Sequence, residues 1–304
     1  MRRGTVQSII QYIRELFQSR TPLEHRWQIG LITLKTKQLN NLKRFYTSLL
    51  DLSVLQQETN MVLLGNKKTL IPILKLVNDP ATVTEENKVL AFLGFEVPSE
   101  SLLGDFANHA LLKGERVIAT HEDGYEKAVY IEDPDKNKIK LFWSKKIEES
   151  STQSFDYQEG TQMKIGLKQL LGIRRFEEFE APKNFSIQQI HLQTNHLELD
   201  EQLFTAIFPF QSTFDLLHKR KNFKLSTEHY SFAVVETDST ISTKSTVMIT
   251  MIAPSVKELE KVVTNLEKKK IDYHYQDNHS KLALYFKDHH QIMWHIVVRG
   301  LSDD

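Results

Sequence analysis

Ala128-Val129-Tyr130-Ile131-Glu132-Asp133-Pro134-Asp135-Lys136-Asn137-Lys138-Ile139-Lys140-Leu141-Phe142-Trp143 is the stretch whose reading decides the fold. Two runs with the period-2 alternation of a half-buried strand flank Asp133-Pro134-Asp135-Lys136-Asn137, a composition that favours a tight turn, so the stretch predicts a β-hairpin. Working towards the N-terminus, the hairpin is preceded by a strand near Arg116–Ala119. Before that comes a helix after Pro98-Ser99, carrying Leu102, Leu103, Phe106 and Leu111, and a strand over Val89–Val97. The order is βαβββ. The same order stands upstream: a strand over Ile29–Thr36, a helix from Leu39 through Phe45, Leu49 and Leu50, and short strands over Ser53–Gln57, Asn60–Gly65 and Thr69–Val77.

The second half of the chain replays the first. Ile187-Gln188-Gln189-Ile190-His191-Leu192 stands 158 residues after Ile29–Leu34, Ala253-Pro254-Ser255 stands 156 after Val97-Pro98-Ser99, and Lys287-Asp288 stands 155 after Glu132-Asp133. So small a drift means short loop insertions and deletions within a duplicated domain. The expected organisation is α+β, with domains over 27–145 and 185–300. The linker over 146–184 carries a short apolar helix (Ile165, Leu167, Leu170, Leu171) and Pro182. At the start, Val6, Ile9, Ile10, Ile13, Leu16 and Phe17 predict an amphipathic helix within 1–26, which either docks on a partner or membrane or covers an apolar patch of the domains.

Composition narrows the function classes. Of 304 residues, 39 are Lys or Arg and 39 are Asp or Glu, so no whole-molecule field draws nucleic acid or a membrane surface. No cysteine is present, which removes disulfides, thiolate nucleophiles and Cys-based zinc or iron–sulfur sites. With neither an apolar run of membrane-spanning length nor a signal-peptide core, the expectation is a cytoplasmic protein whose partner is a small organic molecule. There is no glycine-rich phosphate loop, HExxH pair or nucleophile elbow. Lys268-Lys269-Lys270 reads as a basic helix end rather than a nucleic-acid patch.

Ile29–Leu34 followed by Leu42-Lys43-Arg44-Phe45-Tyr46-Thr47-Ser48-Leu49-Leu50-Asp51-Leu52, then Phe92-Leu93-Gly94-Phe95-Glu96-Val97-Pro98 and the opening hairpin, resemble the vicinal-oxygen-chelate superfamily of glyoxalases, bleomycin-resistance proteins and ring-cleaving dioxygenases. The hairpin departs from that family's DPDGN only at the glycine. The resemblance is strong over 27–145 and weak over 185–300. It implies that each domain is a pair of βαβββ units rolled into a curved mixed sheet, a cup with helices outside. It also implies that inward His, His and Glu on strands one, five and eight hold a divalent metal. At those stations this chain has Leu31, Phe92 and Lys140 in the first half, and Gln189, Met248 and His295 in the second. No combination across the halves restores the set, so no metal cofactor is expected unless a substituted C-terminal site binds one.

The second cup keeps more polar chemistry. Gln189, His191 and His295, with His229 or Tyr230 from a neighbouring strand, are candidates to line a ligand pocket. The three histidines are acid–base candidates, and the bland alternative is half-buried histidines bonded to backbone. Lys140 is either an anion anchor or an ammonium that reaches out to solvent. Trp143 and Trp294 are expected as cup-wall packing. His289-His290, in a turn, is expected to be exposed, with metal binding disfavoured because neighbours on a strand face opposite ways. Three functions stand: a metal-free binder of a small organic molecule, a lyase or dioxygenase with a substituted C-terminal site, and a CppA-like interaction protein or proteinase. Pairing of modules within the chain favours a monomer over a dimer.

Overall fold

The computed structural model describes residues 27–80, 89–122, 126–145, 165–215, 219–224, 230–238, 246–278 and 281–298. The amphipathic stretch expected over 1–26 lies outside them. Four βαβββ modules follow one another. The first is β1 (Gln28–Thr36), α1 (Leu39–Leu49), β2 (Leu52–Glu58), β3 (Met61–Asn66) and β4 (Pro72–Asn78). The second is β5 (Leu90–Glu96), α2 (Glu100–Leu112), β6 (Ala119–Glu122), β7 (Glu126–Glu132) and β8 (Lys138–Ser144). After α3 (Leu167–Gly172) in the expected linker helix, the third is β9 (Ile187–Thr194), α4 (Leu197–Ile207), β10 (Gln211–Asp215), β11 (Arg220–Lys224) and β12 (Tyr230–Glu236). The fourth is β13 (Val247–Ala253), α5 (Val256–Lys269), β14 (Tyr273–Asn278), β15 (Lys281–Lys287) and β16 (Met293–Val298). Most elements fall where periodicity puts them, while β6 begins at Ala119, where the expected strand ends.

The strands form two eight-stranded mixed sheets, β14-β15-β16-β13-β1-β4-β3-β2 and β10-β11-β12-β9-β5-β8-β7-β6. The architecture is therefore α+β with paired modules, but the pairing corrects the expectation that each half of the chain builds its own sheet. The first module joins the fourth through antiparallel β1–β13, and the second joins the third through antiparallel β5–β9. The physical reason lies in the module itself. Its opening strand is hydrogen-bonded on one side to its own closing strand, as in β1–β4 and β9–β12, and the other edge stays open to any equivalent edge. Sequence order does not choose the partner.

Alternation along each strand separates two faces. Ile32 and Leu34 of β1 point to a core that also buries Leu42, Phe45, Tyr46 and Leu49 of α1, and one contiguous apolar cluster joins both sheets. Phe232 of β12 and Trp294 of β16 meet across it at 5.5 Å, so the helix-covered faces of the two sheets share a core. Ser99 and Ser255, each after a proline, cap α2 and α5 by accepting hydrogen bonds from Leu102 N and Glu258 N. Such caps contribute about 1 kcal/mol each. No described helix is long and apolar enough to cross a membrane.

The opening hairpin folds as a turn over Asp133–Asn137, with Lys136 left-handed at φ 64°. Asp133 Oδ1 accepts from Asp135 N and Asn137 N, both at 2.9 Å. The fourth module repeats it: Gln291 has φ 61°, and Asp288 Oδ1 accepts from Ile292 N at 2.9 Å. An aspartate gathering backbone N–H groups thus defines the turn even though glycine is missing from the left-handed position.

Candidate functional site

Each sheet has a second face, turned away from the shared core. On the β5–β12 sheet, strand register places Phe92 and Gly94 (β5), Lys140 and Phe142 (β8), Glu126 and Tyr130 (β7), Gln189 and His191 (β9), and Asn222 (β11) on it. Lys140 is only 5% exposed, so its ammonium does not reach solvent as one sequence reading had it. Its Nζ lies 2.5 Å from Glu126 Oε1 and donates to Gln189 Oε1 at 2.8 Å, while Gln189 Nε2 donates to Glu126 Oε2 at 3.1 Å. The three side chains close a ring of charge and amide, and the ammonium also sits 4.8 Å from the centre of the Phe142 ring. Beside it Phe92 stacks on His191 at 3.9 Å, with Tyr130 edge-on to Phe92 at 5.8 Å. Gly94 makes the ring fit, because a Cβ there would come within 2.8 Å of Gln189 Cβ. Asn222 is buried and its Oδ1 has no hydrogen-bond partner.

The other sheet presents Leu31, Thr33, Met248, Thr250, Tyr285 and His295 at the matching places. His295 stacks on Tyr285 at 4.4 Å and Nδ1 lies 3.2 Å from Thr250 Oγ1. Around them Ile252, Ala283 and Val297 form a small apolar cluster separate from the main core.

The crossed pairing sorts the candidates. It brings Gln189, His191, Phe92 and Lys140 together on one sheet and puts His295, Met248 and Leu31 on the other, so the single pocket expected from Gln189, His191 and His295 does not form. His229 lies outside the described residues, and Tyr230 opens β12 opposite Lys224. Trp143 and Trp294 are not on the cup side: they alternate with Lys140 and His295 and pack into the shared core, where Trp294 Nε1 donates to Asp288 Oδ2 at 2.8 Å. Glu126, the counter-charge of Lys140, carries no motif. It is visible in sequence only as an acidic residue on the period-2 face of β7.

The expectation of an exposed His289-His290 holds for His289 and is overturned for His290, which is only 5% exposed. These residues lie in the turn between β15 and β16, where strand alternation does not apply, and both rings face α4. Asp200 of α4 is fully buried, with His289 Nε2 3.1 Å from its Oδ1 and His290 Nε2 3.1 Å from its Oδ2. Burial works to raise the Asp200 pKa, and the two imidazoles outweigh it and hold the carboxyl below its usual value. Burial likewise works against charge on His289, and Asp200 outweighs it to raise that pKa. In the first half the corresponding turn is held differently, by Tyr46 of α1 donating its hydroxyl to Asp133 Oδ2 at 2.8 Å. Burial lifts the Asp133 pKa to about 6 against the lowering effect of its hydrogen bonds from Asn137 and Tyr46.

Four βαβββ modules paired into two mixed sheets, each with a polar cluster on the face away from the core, define a protein of vicinal-oxygen-chelate fold. Residues 28–141 match the model of the Glyoxalase/Bleomycin resistance protein/Dioxygenase superfamily. Among solved structures, a Bacillus subtilis protein provisionally described as a dioxygenase aligns over 90% of this chain and 86% of its own, at 12% identity and a TM-score of 0.63. Glyoxalase I of Zea mays aligns over 90% and 92%, at 11% identity and 0.55. The cppA protein of Streptococcus pneumoniae TIGR4 aligns over 90% and 97%, at 15% identity and 0.53. At such identities the likeness is one of fold. No curated protein matches the chain by sequence.

Proposed function

We propose that this protein is a superfamily member that works without a metal in its cups and binds a small organic molecule on the open face of the β5–β12 sheet. The observation that carries the reading is Lys140, which occupies a station where the family resemblance implies a metal-binding carboxylate. Its ammonium is already seated between Glu126 and Gln189. A divalent cation arriving there would meet a fixed positive charge whose counter-charge is taken.

Ligand chemistry is supported by what surrounds the ring. The Phe92–His191 stack with Tyr130 on its edge offers a flat surface for a planar group. The buried Asn222 Oδ1, without a partner, offers an acceptor to a ligand O–H or N–H. A few polar groups set among aromatic walls is the usual make-up of a small-molecule site. The reading includes a monomer, because the chain completes both sheets from its own modules.

Thermal denaturation of the full chain against a panel of small aromatic, phenolic and hydroxy-acid compounds tests it. At least one compound is expected to raise Tm in the unaltered protein and to lose that effect in His191→Ala and Asn222→Leu. A panel in which nothing stabilises the protein, or in which the stabilisation survives both substitutions, overturns the reading.

A further inference from the structure

We infer that Asp200, His289 and His290 form a divalent transition-metal site outside both cups, clipping the helix of the third module to the closing turn of the fourth. One ligand atom from each, an imidazole nitrogen of either histidine and a carboxylate oxygen of Asp200, can be chosen so that all three lie within 4.8 Å of one another. Each imidazole nitrogen is 3.1 Å from a carboxylate oxygen. That spacing is about what ligands on one edge of a coordination shell show when each sits ~2.0–2.2 Å from zinc.

A second observation points to a shared occupant. Asp200 is 0% exposed, yet its Oδ1 has no hydrogen-bond partner: His289 Nε2 is near it without the alignment of a bond. A buried carboxylate oxygen and an imidazole nitrogen 3.1 Å apart, off the line of a well-aligned hydrogen bond, are placed to turn their lone pairs on one ion once the imidazole is neutral.

The turn holds the imidazoles ready without help from a metal. Asp288 Oδ1 accepts from Ile292 N and Oδ2 from Trp294 Nε1, and the left-handed Gln291 completes the turn, so neighbouring His289 and His290 present their rings side by side, 4.0 Å apart. Thr194 Oγ1, itself accepting from His196 N at 2.9 Å, also lies 3.2 Å from His290 Nε2, a contact that an ion bound at that nitrogen would replace. Two imidazoles and one carboxylate select zinc or a neighbouring transition metal over calcium or magnesium. His289 is about one-third exposed, which leaves a coordination position towards solvent. The equivalent places in the first half hold Leu42, Pro134 and Asp135, a set that offers one ligand, so the site is particular to the second half. Because α4 precedes strands of one sheet and the turn joins strands of the other, an ion here would fasten the two sheets together.

The test is titration of the chelator-treated full chain with Zn2+ and Co2+, followed by calorimetry and by the visible absorption of bound Co2+. One ion per chain is expected, with Zn2+ raising Tm. His289→Ala, at a partly exposed position, and His290→Ala are each expected to weaken binding by at least ~10-fold and to cancel the Tm rise. His295→Ala is expected to bind as the unaltered protein does. Absence of binding overturns the site, as does an ion held equally well by both turn variants. An ion lost only with His295→Ala would overturn both this site and the metal-free reading of the cups, whereas failure of the ligand screen alone leaves the clip standing.

Discussion

Lys140 and His295 occupy equivalent positions on β8 and β16, 155 residues apart, each with a tyrosine beside it on the preceding strand, Tyr130 and Tyr285. One is a buried cation tied to Glu126 and Gln189, the other an imidazole stacked on its tyrosine and next to Thr250. The difference starts at one position: β5 has Gly94, which leaves room for the Gln189 side chain, and β13 has Thr250 at the matching place. Both faces hang on the same backbone because the stability of the sheets comes from the opposite side, where the shared apolar core lies. Side chains on the open faces are therefore free to diverge in chemistry, and they have.

The largest way to break the contrast is Lys140→Ala. It leaves Glu126 and Gln189 without their central cation and is expected to destabilise the fold by about 3–5 kcal/mol, the usual cost of removing one partner of a buried pair. His295→Ala, read by the same urea denaturation, is expected to cost under about 1.5 kcal/mol. Adding Glu126→Gln to Lys140→Ala should recover a large part of the loss. If Lys140→Ala alone proves no costlier than His295→Ala, the two faces are energetically alike and the contrast fails.

The paired turns give the next test. Asp133 has a folded pKa near 6, above its ordinary value, so its stabilising contribution is fully present below about pH 4 and is lost as pH rises through 6. Relative to Asp133→Asn, the unaltered protein should lose up to about 3 kcal/mol between pH 4 and pH 7. Parallel stability curves for the two proteins over that range would show that this turn does not titrate.

A smaller effect than that of Lys140→Ala is expected of Gly94→Ala, which makes the Lys140 face more like the His295 face, where Thr250 stands. The added methyl presses on Gln189 Cβ and is expected to cost about 1–3 kcal/mol and to loosen the Lys140–Gln189 bond. Chemical shifts of the Gln189 side-chain amide, unchanged, would show that the glycine is not what makes room for the ring.

Much of this is written locally. Asp133-Pro134-Asp135-Lys136-Asn137 reads as a turn because the aspartate collects nearby backbone N–H groups. Pro98-Ser99 and Pro254-Ser255 read as helix starts because the serine caps the next turn, and the offsets of 158, 156 and 155 expose the repeat. The candidate site was legible only in part. Lys140, Gln189 and His191 stand out by residue type on a period-2 face, but Glu126 is an unremarked acidic residue until β7 pairs with β8. Asp200 is hidden further, since an aspartate on an amphipathic helix reads as solvated until the turn after β15 packs on it.

By itself the sequence determined what short-range physics controls: strand and helix periods, turn chemistry, the fourfold βαβββ order, and a set of stations occupied by apolar, amide, cationic and imidazole groups. Tertiary structure alone decided which modules share a sheet, and with that which stations share a face. The reason is that the open edges of the four opening strands carry equivalent backbone donors and acceptors, so no local signal ranks one partner above another. The choice falls to packing across the whole core, where Phe232 meets Trp294 and the first module closes on the fourth.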